Sequence, residues 1–202
     1  MLKVGVLASG RGSNLEALIR ASRAGERLFE IACVISDVAT ARALDVGREA
    51  GIAAYALNPG QFGKKRDYEA RIVEILKSHE VSLVALAGYM RIVGPVLLSA
   101  FPGRIMNIHP SLLPSFPGLE AQAQALAYGV KVTGCTVHFV DSGVDTGAII
   151  IQKAVLVEED DTVSTLSARI LEQEHIAYPE AIAMYAKGRL SLSGRRVIVK
   201  KE

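Results

Sequence analysis

The sequence predicts an α/β fold: a doubly wound, mostly parallel sheet of about seven strands with an antiparallel end. Three observations carry this reading. Short apolar runs alternate with segments of helical periodicity through the first half of the chain, the rhythm of βαβ units. The first strand runs into a glycine-rich turn and then a helix. Beyond residue 130, two long strand-like runs are joined by the tight loop Asp141-Ser142-Gly143-Val144-Asp145-Thr146-Gly147, which suits an antiparallel pair. With 202 residues, 50% hydrophobic and only 5% aromatic, the chain is expected to form one domain around an aliphatic core.

Taken in order, residues 4–7 form a short buried strand, and the helix after it places Leu15, Leu18 and Ile19 on one face. Residues 28–35 read as the second strand, 40–50 as a helix and 53–57 as the third strand. Asn58-Pro59-Gly60-Gln61-Phe62-Gly63-Lys64-Lys65 is turn chemistry with exposed charge. A helix from about 66 to 79 turns Ile72, Val73, Ile75 and Leu76 inward, and His79 at its end suits the helix dipole. Residues 82–87 are almost wholly apolar, as a central parallel strand would be. Residues 104–108 give a fifth strand and 118–129 a helix. Residues 131–140 alternate, marking a strand with two unlike faces, and 148–157 form its partner. Asp161 or Thr162 caps a long helix reaching about residue 187, and 190–201 form a terminal ribbon.

The turn Ala8-Ser9-Gly10-Arg11-Gly12-Ser13-Asn14 lies between a strand and a helix, where backbone N–H groups and a helix N-terminus face an anion. Ser13 and Asn14 are both good N-cap residues. The dinucleotide fingerprint is incomplete, because Leu15 stands where the third glycine belongs, and no Walker lysine is present after it. Asp37 is placed either to imitate a ribose-binding acid or to cap a loop. A single phosphate monoester fits the turn better than a pyrophosphate, and a glycine turn without a ligand stays open. The apolar loop Gly88-Tyr89-Met90-Arg91-Ile92-Val93-Gly94-Pro95 lies at the C-terminal end of a parallel strand, where open α/β sheets bind ligands. It is either a seat for a flat ring held by backbone groups or a lid over the core.

The most informative stretch is Met106-Asn107-Ile108-His109-Pro110-Ser111-Leu112-Leu113-Pro114-Ser115-Phe116-Pro117-Gly118. Asn107 and His109 sit two apart, so an extended backbone turns both to one face. Pro110, Pro114 and Pro117 stiffen the segment beyond His109. An amide beside an imidazole can hold a developing oxyanion and move protons. Alternatively, His109 simply ties down a proline-rich turn.

Composition excludes several classes. A net charge of +2 with no basic stripe argues against nucleic acid, and the cluster at 195–201 reads as a solvated edge strand. Cys33 and Cys135 lie in apolar runs without metal-ligand spacing and read as reduced core residues, so no metal is expected. A strand begins at once with no signal peptide, and no apolar run reaches membrane length. The expectation is a cytoplasmic protein of small-molecule substrates, with no membrane partner, as monomer or homodimer.

Asn107-Ile108-His109-Pro110-Ser111-Leu112-Leu113-Pro114, with Asp145 further along, closely resembles the folate-dependent formyltransferases. The resemblance runs from Gly12-Ser13-Asn14 to Gln173-Glu174-His175 and Tyr178-Pro179, and it points to the phosphoribosylglycinamide formyltransferase branch of purine synthesis. It implies a Rossmann-like formyltransferase fold and an enzyme moving a formyl group from the co-substrate 10-formyltetrahydrofolate to the amine of glycinamide ribonucleotide. By this resemblance Asn107, His109 and Asp145 are catalytic. Gly12, Ser13 and Asn14 hold the phosphate, and Glu174 the ribose. The folate lies against Met90, Arg91, Ile92 and Val93, against Asn107, and against Asp141, Ser142, Gly143, Val144 and Asp145, with Lys65 near its glutamate tail. Asp145 beside His109 is expected to raise the imidazole pKa, so that a protonated ring faces the oxyanion. The implied organisation is one formyltransferase domain over 1–202, with a nucleotide-binding half to about 100 and a folate and catalytic half from about 101.

The sequence departs from the family pattern in three places. Glu120-Ala121-Gln122 stands where histidine is common, Ser115 where some members are basic, and Leu171 where the residue is often polar. His138 reads as a core histidine that could face the site, and His175 as structural. The rival readings are a methionyl-tRNA formyltransferase, a formyltetrahydrofolate hydrolase and a non-catalytic nucleotide-binding module. The first carries an added C-terminal domain and the second an N-terminal one, and neither is expected here.

Overall fold

The structure is a computed structural model in which residues 1–200 are described. Lys201, the last residue of the expected terminal ribbon and basic cluster, lies outside the described residues. Seven strands form one mostly parallel sheet in the order β3-β2-β1-β4-β5-β6-β7. The chain divides into two compact units, with the boundary after Asn107.

The first unit contains β1 (Leu2–Leu7), α1 (Ser13–Arg23), β2 (Phe29–Ser36), α2 (Arg42–Glu49), β3 (Ala53–Ala56), α3 (Lys65–Ser78), β4 (Leu83–Leu86) and α4 (Pro95–Ala100), and it enters β5 (Ile105–His109). β1 pairs in parallel with β2 on one side and β4 on the other, and β4 pairs in parallel with β5. The apolar runs form inner strands because Val4, Val6, Leu7, Val34, Ile35 and every residue of β4 are buried. Leu15, Ala17, Leu18 and Ile19 give α1 its buried face, as the periodicity predicts. Chain order reverses between β1 and β4, so the loops after these strands flank the switch point where such sheets bind ligands.

Among the described residues, α4 is the α-helix the sequence does not announce. It is six residues long, too short for a periodic signal, and Pro95 opens it. Its N-terminus is capped from a distance: Glu69 on α3 accepts from the Gly94 N–H at 2.6 Å and the Leu97 N–H at 3.4 Å. No local residue supplies that cap.

The second unit contains α5 (Ala121–Tyr128), β6 (Val132–Phe139), β7 (Ile149–Leu156), α6 (Val163–Ala186), β8 (Leu190–Ser193) and β9 (Arg196–Val199). β6 and β7 are antiparallel, with a register shift at Val137/His138. β8 and β9 form the terminal ribbon. The helix expected from 118 starts at Ala121, because Gly118 and Glu120 hold left-handed backbone at φ 82° and 55°. The two faces of β6 do differ in chemistry, but both are buried from Thr133 to Phe139. The polar face is tolerated because its groups are hydrogen-bonded. Thr136 Oγ1 donates to Ser111 O at 2.6 Å while accepting from the Leu113 N–H at 3.0 Å.

α6 buries the stripe Leu166, Ile170, Glu174, Ala177, Tyr178, Ala181 and Ile182. Its start is fixed by a capping box: Thr162 accepts from the Thr165 N–H at 3.2 Å, and Thr165 Oγ1 accepts from the Thr162 N–H at 2.9 Å. Asp161 lies just before and takes both Arg169 guanidinium nitrogens, at 2.7 and 3.0 Å. Thr162→Ala is expected to cost about 1 kcal/mol and lower Tm by ~2–4 °C. Thermal unfolding tracked by circular dichroism measures it, and an unchanged Tm shows that Asp161 alone holds this end.

Candidate active site

The turn after β1 is shaped by Gly12. Gly12 is the N-cap of α1 at φ 83°, and its carbonyl accepts the first helical bond, from Glu16 N at 2.9 Å. Any Cβ there would lie 2.8 Å from Ala43 Cα, so only glycine fits. Ser13 and Asn14 therefore stand within the first helical turn and not at the cap. Their expected N-cap role is corrected. The helix N-terminus still presents N–H groups in the turn that carries Ser13, the geometry an anion site requires. Ser13 is half-buried and Asn14 is buried.

The loop after β4 has a hydrogen-bonded backbone and exposed apolar tips. Tyr89 OH lies 2.9 Å from Tyr68 OH, and the Arg91 guanidinium stands 5.6 Å from the Tyr68 ring centre. Met90 and Ile92 are nonetheless 66% and 62% exposed, while Val93 is buried. Two large apolar side chains exposed on a hydrogen-bonded loop form a ready contact for a flat ring. Lys65 opens α3 and lies 3.8 Å from Glu69 Oε1, with half of its side chain exposed.

β5 carries both Asn107 and His109, so strand alternation gives them one face, as the spacing predicts. His109 is buried, and its Nε2 lies 2.8 Å from Phe116 O. A carbonyl only accepts, so Nε2 carries the proton. Nδ1 faces Asp145 Oδ2 at 3.4 Å. His138, a residue read mainly as core, faces the same carboxylate: its Nε2 is 3.7 Å from Asp145 Oδ1, and its Nδ1–H donates to Phe139 O at 2.8 Å. The Gly118 N–H donates to Asp145 Oδ2 at 2.8 Å. One carboxylate thus stands between two imidazoles, each pinned by a backbone carbonyl. Period-2 counting could have given His138 to this face, but the register shift beside it obscures the count.

Burial decides the charge state of His109. It pulls the imidazole below its ordinary 6.5, against upward pulls from the Phe116 carbonyl and from Asp145. The expectation of a raised pKa is corrected: Asp145 acts in the expected direction and desolvation outweighs it. Burial also pushes the Asp145 carboxyl up, but His138, the Gly118 N–H and His109 together take it below its usual value. At neutral pH the pair is a neutral imidazole beside a carboxylate.

The loop between β5 and α5 is held by more than its prolines. Gln152 on β7 donates to Leu113 O at 2.8 Å, and Ser111 Oγ donates to Ser115 O at 2.5 Å. The contact that supports His109 Nε2 is the Phe116 backbone and not a side chain of Glu120-Ala121-Gln122. Gln124 ties down the turn instead, donating to Leu119 O at 2.8 Å.

In the loop after β6, Asp141 Oδ1 accepts from Gly143 N at 3.0 Å and from Thr146 Oγ1 at 2.6 Å. Ser142, Gly143 and Val144 are exposed, and Asp145 sits at φ 54°. Glu174 is buried on the inner face of α6, where its charge pushes up the Cys135 thiol. Burial takes both Cys33 and Cys135 to about 12, so neither is a nucleophile at neutral pH. Among the described residues no group of three His, Cys, Asp or Glu is placed to hold a metal ion. Among the same residues no helix is long and apolar enough to cross a membrane.

A buried histidine on the strand that presents Asn107, facing the half-buried carboxylate of Asp145 in a sheet of this order, points to a class. Residues 2–182 match the Formyl transferase family, and the chain belongs to it. Its relatives narrow the class. It is 46% identical over 182 residues to phosphoribosylglycinamide formyltransferase of Bacillus subtilis, covering 90% of this chain and 93% of that one. It is 43% identical over 202 residues to the human trifunctional purine biosynthetic protein adenosine-3, covering 99% of this chain and 20% of that larger protein. Among solved structures, glycinamide ribonucleotide transformylase 1 from Symbiobacterium toebii matches with a TM-score of 0.98 at 53% identity, over 100% of this chain and 95% of that one.

The electrostatics give a direct test. The His109 imidazole is expected to titrate below 6.5 by NMR. Asp145→Asn removes an upward pull and should move it lower still. A His109 that titrates above 6.5, or rises in the variant, reverses the stated balance of burial and charge.

Proposed function

We propose that this chain transfers the formyl group of 10-formyltetrahydrofolate to the amine of glycinamide ribonucleotide, a step of purine synthesis, by direct attack of the amine on the formyl carbon. The observation that carries the mechanism is the His109–Asp145 contact at 3.4 Å on the strand that also presents Asn107. Attack makes a tetrahedral carbon bearing one oxyanion and one ammonium. The ammonium loses a proton, the bond from carbon to the folate nitrogen breaks, and that nitrogen takes a proton. One proton therefore crosses the site per turnover.

Asn107 donates to the oxyanion, a contact worth roughly 100- to 1000-fold in rate. His109 contributes once a substrate oxygen displaces the Phe116 carbonyl from Nε2. Phe116 sits at φ 52°, a conformation that a bulky side chain adopts only under strain. When His109 takes up a proton at Nδ1, Asp145 stabilises the imidazolium, and His138 orients the carboxylate.

In the same reading Gly12, Ser13 and Asn14 bind the phosphate and Glu174 the ribose hydroxyls. Met90, Arg91, Ile92 and Val93 clasp the pterin with Asn107 and residues 141–145, and Lys65 meets the glutamate tail. The chain works as a single formyltransferase domain, with a nucleotide-binding half to about residue 100 and a folate and catalytic half from about 101. It acts in the cytoplasm.

Purified protein should release deformylated folate, detected by absorbance, only when glycinamide ribonucleotide is present, with the formylated nucleotide as product. Deformylation without the nucleotide makes the chain a hydrolase. His109→Ala and Asp145→Asn should each lower kcat by at least about 100-fold while both substrates still bind. Unchanged turnover in either folded variant rejects the mechanism.

A further inference from the structure

Ser9 stands just before Gly10–Gly12 in the proposed phosphate turn, and it bonds to the loop after β4 twice. Its N–H donates to Gly88 O at 3.0 Å, and its hydroxyl accepts from the Met90 N–H at 2.9 Å. The same hydroxyl donates to Asp37 Oδ1 at 2.5 Å. Asp37 comes directly after β2, its side chain is only 9% exposed, and its other oxygen lies 3.9 Å from Arg91 Nη1. A carboxylate only accepts, so it fixes the direction of the chain: Ser9 must give its proton to Asp37 and keep its lone pairs for Met90. An asparagine would lose this polarity, because its amide presents a donor as readily as an acceptor. The engaged carboxylate also removes the ribose-acid role that its position at a strand end suggested.

We propose that Ser9 and Asp37 are positioning residues that fix the Met90–Arg91 backbone for the folate ring and tie it to the phosphate turn beginning one residue later. The inference rests on the assignment of the 88–93 loop to folate in the proposed function. The brace matters at this point of the loop because Met90 and Ile92 are exposed, and packing resumes only at the buried Val93. Tyr68 holds the Tyr89 and Arg91 side chains, but Ser9 holds the main chain. The bond bridges β1 and β4, the two strands at the reversal of the sheet.

Steady-state kinetics on the full chain test this. Ser9→Ala and Asp37→Asn should each raise KM for 10-formyltetrahydrofolate about ten-fold, the scale of one lost hydrogen bond to a charged network. KM for the nucleotide should move less than half as far on a logarithmic scale. Ser9→Thr, which keeps the hydroxyl, should restore the folate KM to within about two-fold of the wild-type value. The double variant should be no worse than the worse single one, because the two groups act in series. A folate KM unchanged in Ser9→Ala, an equal rise in both KM values, additive losses in the double variant, or no restoration by threonine each overturns the proposal. The wild-type control separates the two levels. Absent nucleotide-dependent turnover there removes the functional reading itself, whereas wild-type turnover beside an unaffected Ser9→Ala removes only this inference.

Discussion

The parallel pairing of β1 with β2 on one edge and β4 on the other is the constraint that organises the first unit. An inner parallel strand exposes neither edge, and its right-handed crossovers place the succeeding loops at the strands' C-terminal ends. Val4, Val6 and Leu7 enforce this by being fully buried, so β1 has no solvent face on which to slip register. With β1 fixed, Ala8 N bonds Ile35 O at 3.0 Å and Ala87 N bonds Leu7 O at 2.8 Å, so the ladder continues past the strand ends. The turn at Gly10–Gly12 is thus anchored on β2 and β4 before any ligand arrives. Gly12 supplies the left-handed backbone that the turn requires, and Ala43 pressed against it explains why no larger residue could.

A second constraint governs the chemistry of the other unit. Asp145 is placed where two buried imidazoles and one backbone N–H converge. Burial on its own pushes such a carboxyl up, because desolvation disfavours its charge. It stays ionised because the Gly118 N–H donates to Oδ2 at 2.8 Å and the net effect of its surroundings holds the carboxyl below its usual value. His109 faces the opposite balance, with one carboxylate at 3.4 Å against a nearly complete loss of water. A resting neutral imidazole beside a standing carboxylate is primed to gain a proton when charge develops nearby, since each proton gained creates an ion pair already in place.

Much of this was legible in the sequence, and most of the failures share a cause. The strands of the first unit are legible because each is a short apolar run bounded by turn residues. Asn107 and His109 share a face because extended backbone has period two, a rule with no free parameter. Misread features depend on residues far away in the chain. α4 is capped by Glu69, and the buried polar face of β6 is satisfied by the 111–113 loop. The pKa direction of His109 depends on how much water burial removes. Local chemistry named Asp145 as the charge partner, but only the packed structure shows that desolvation exceeds it. The expected N-cap at Ser13 or Asn14 failed for a local reason. Gly12 satisfies the left-handed geometry at the end of the turn, and the capping position moves back to it.

Asp37 shows how a residue type can mislead while its position informs. An acid at the end of the second strand of a βαβ unit invites the ribose-binding role, and that role needs a carboxylate open to solvent. Here it is engaged by Ser9 and faces Arg91, both within the protein. The ends of β1, β2 and β4 are therefore cross-linked by side chains as well as by the sheet. The backbone ladder sets the spacing of the strands and reaches a residue or two past their ends, as far as Ser9 and Gly88. A hydroxyl shared between a carboxylate and a main-chain N–H adds one more tie beyond that, at the exposed Met90 and near Ile92. A hydrogen-bonded backbone beneath exposed apolar tips lets a loop accept a planar ligand with little further loss of entropy, because the ordering was done on folding.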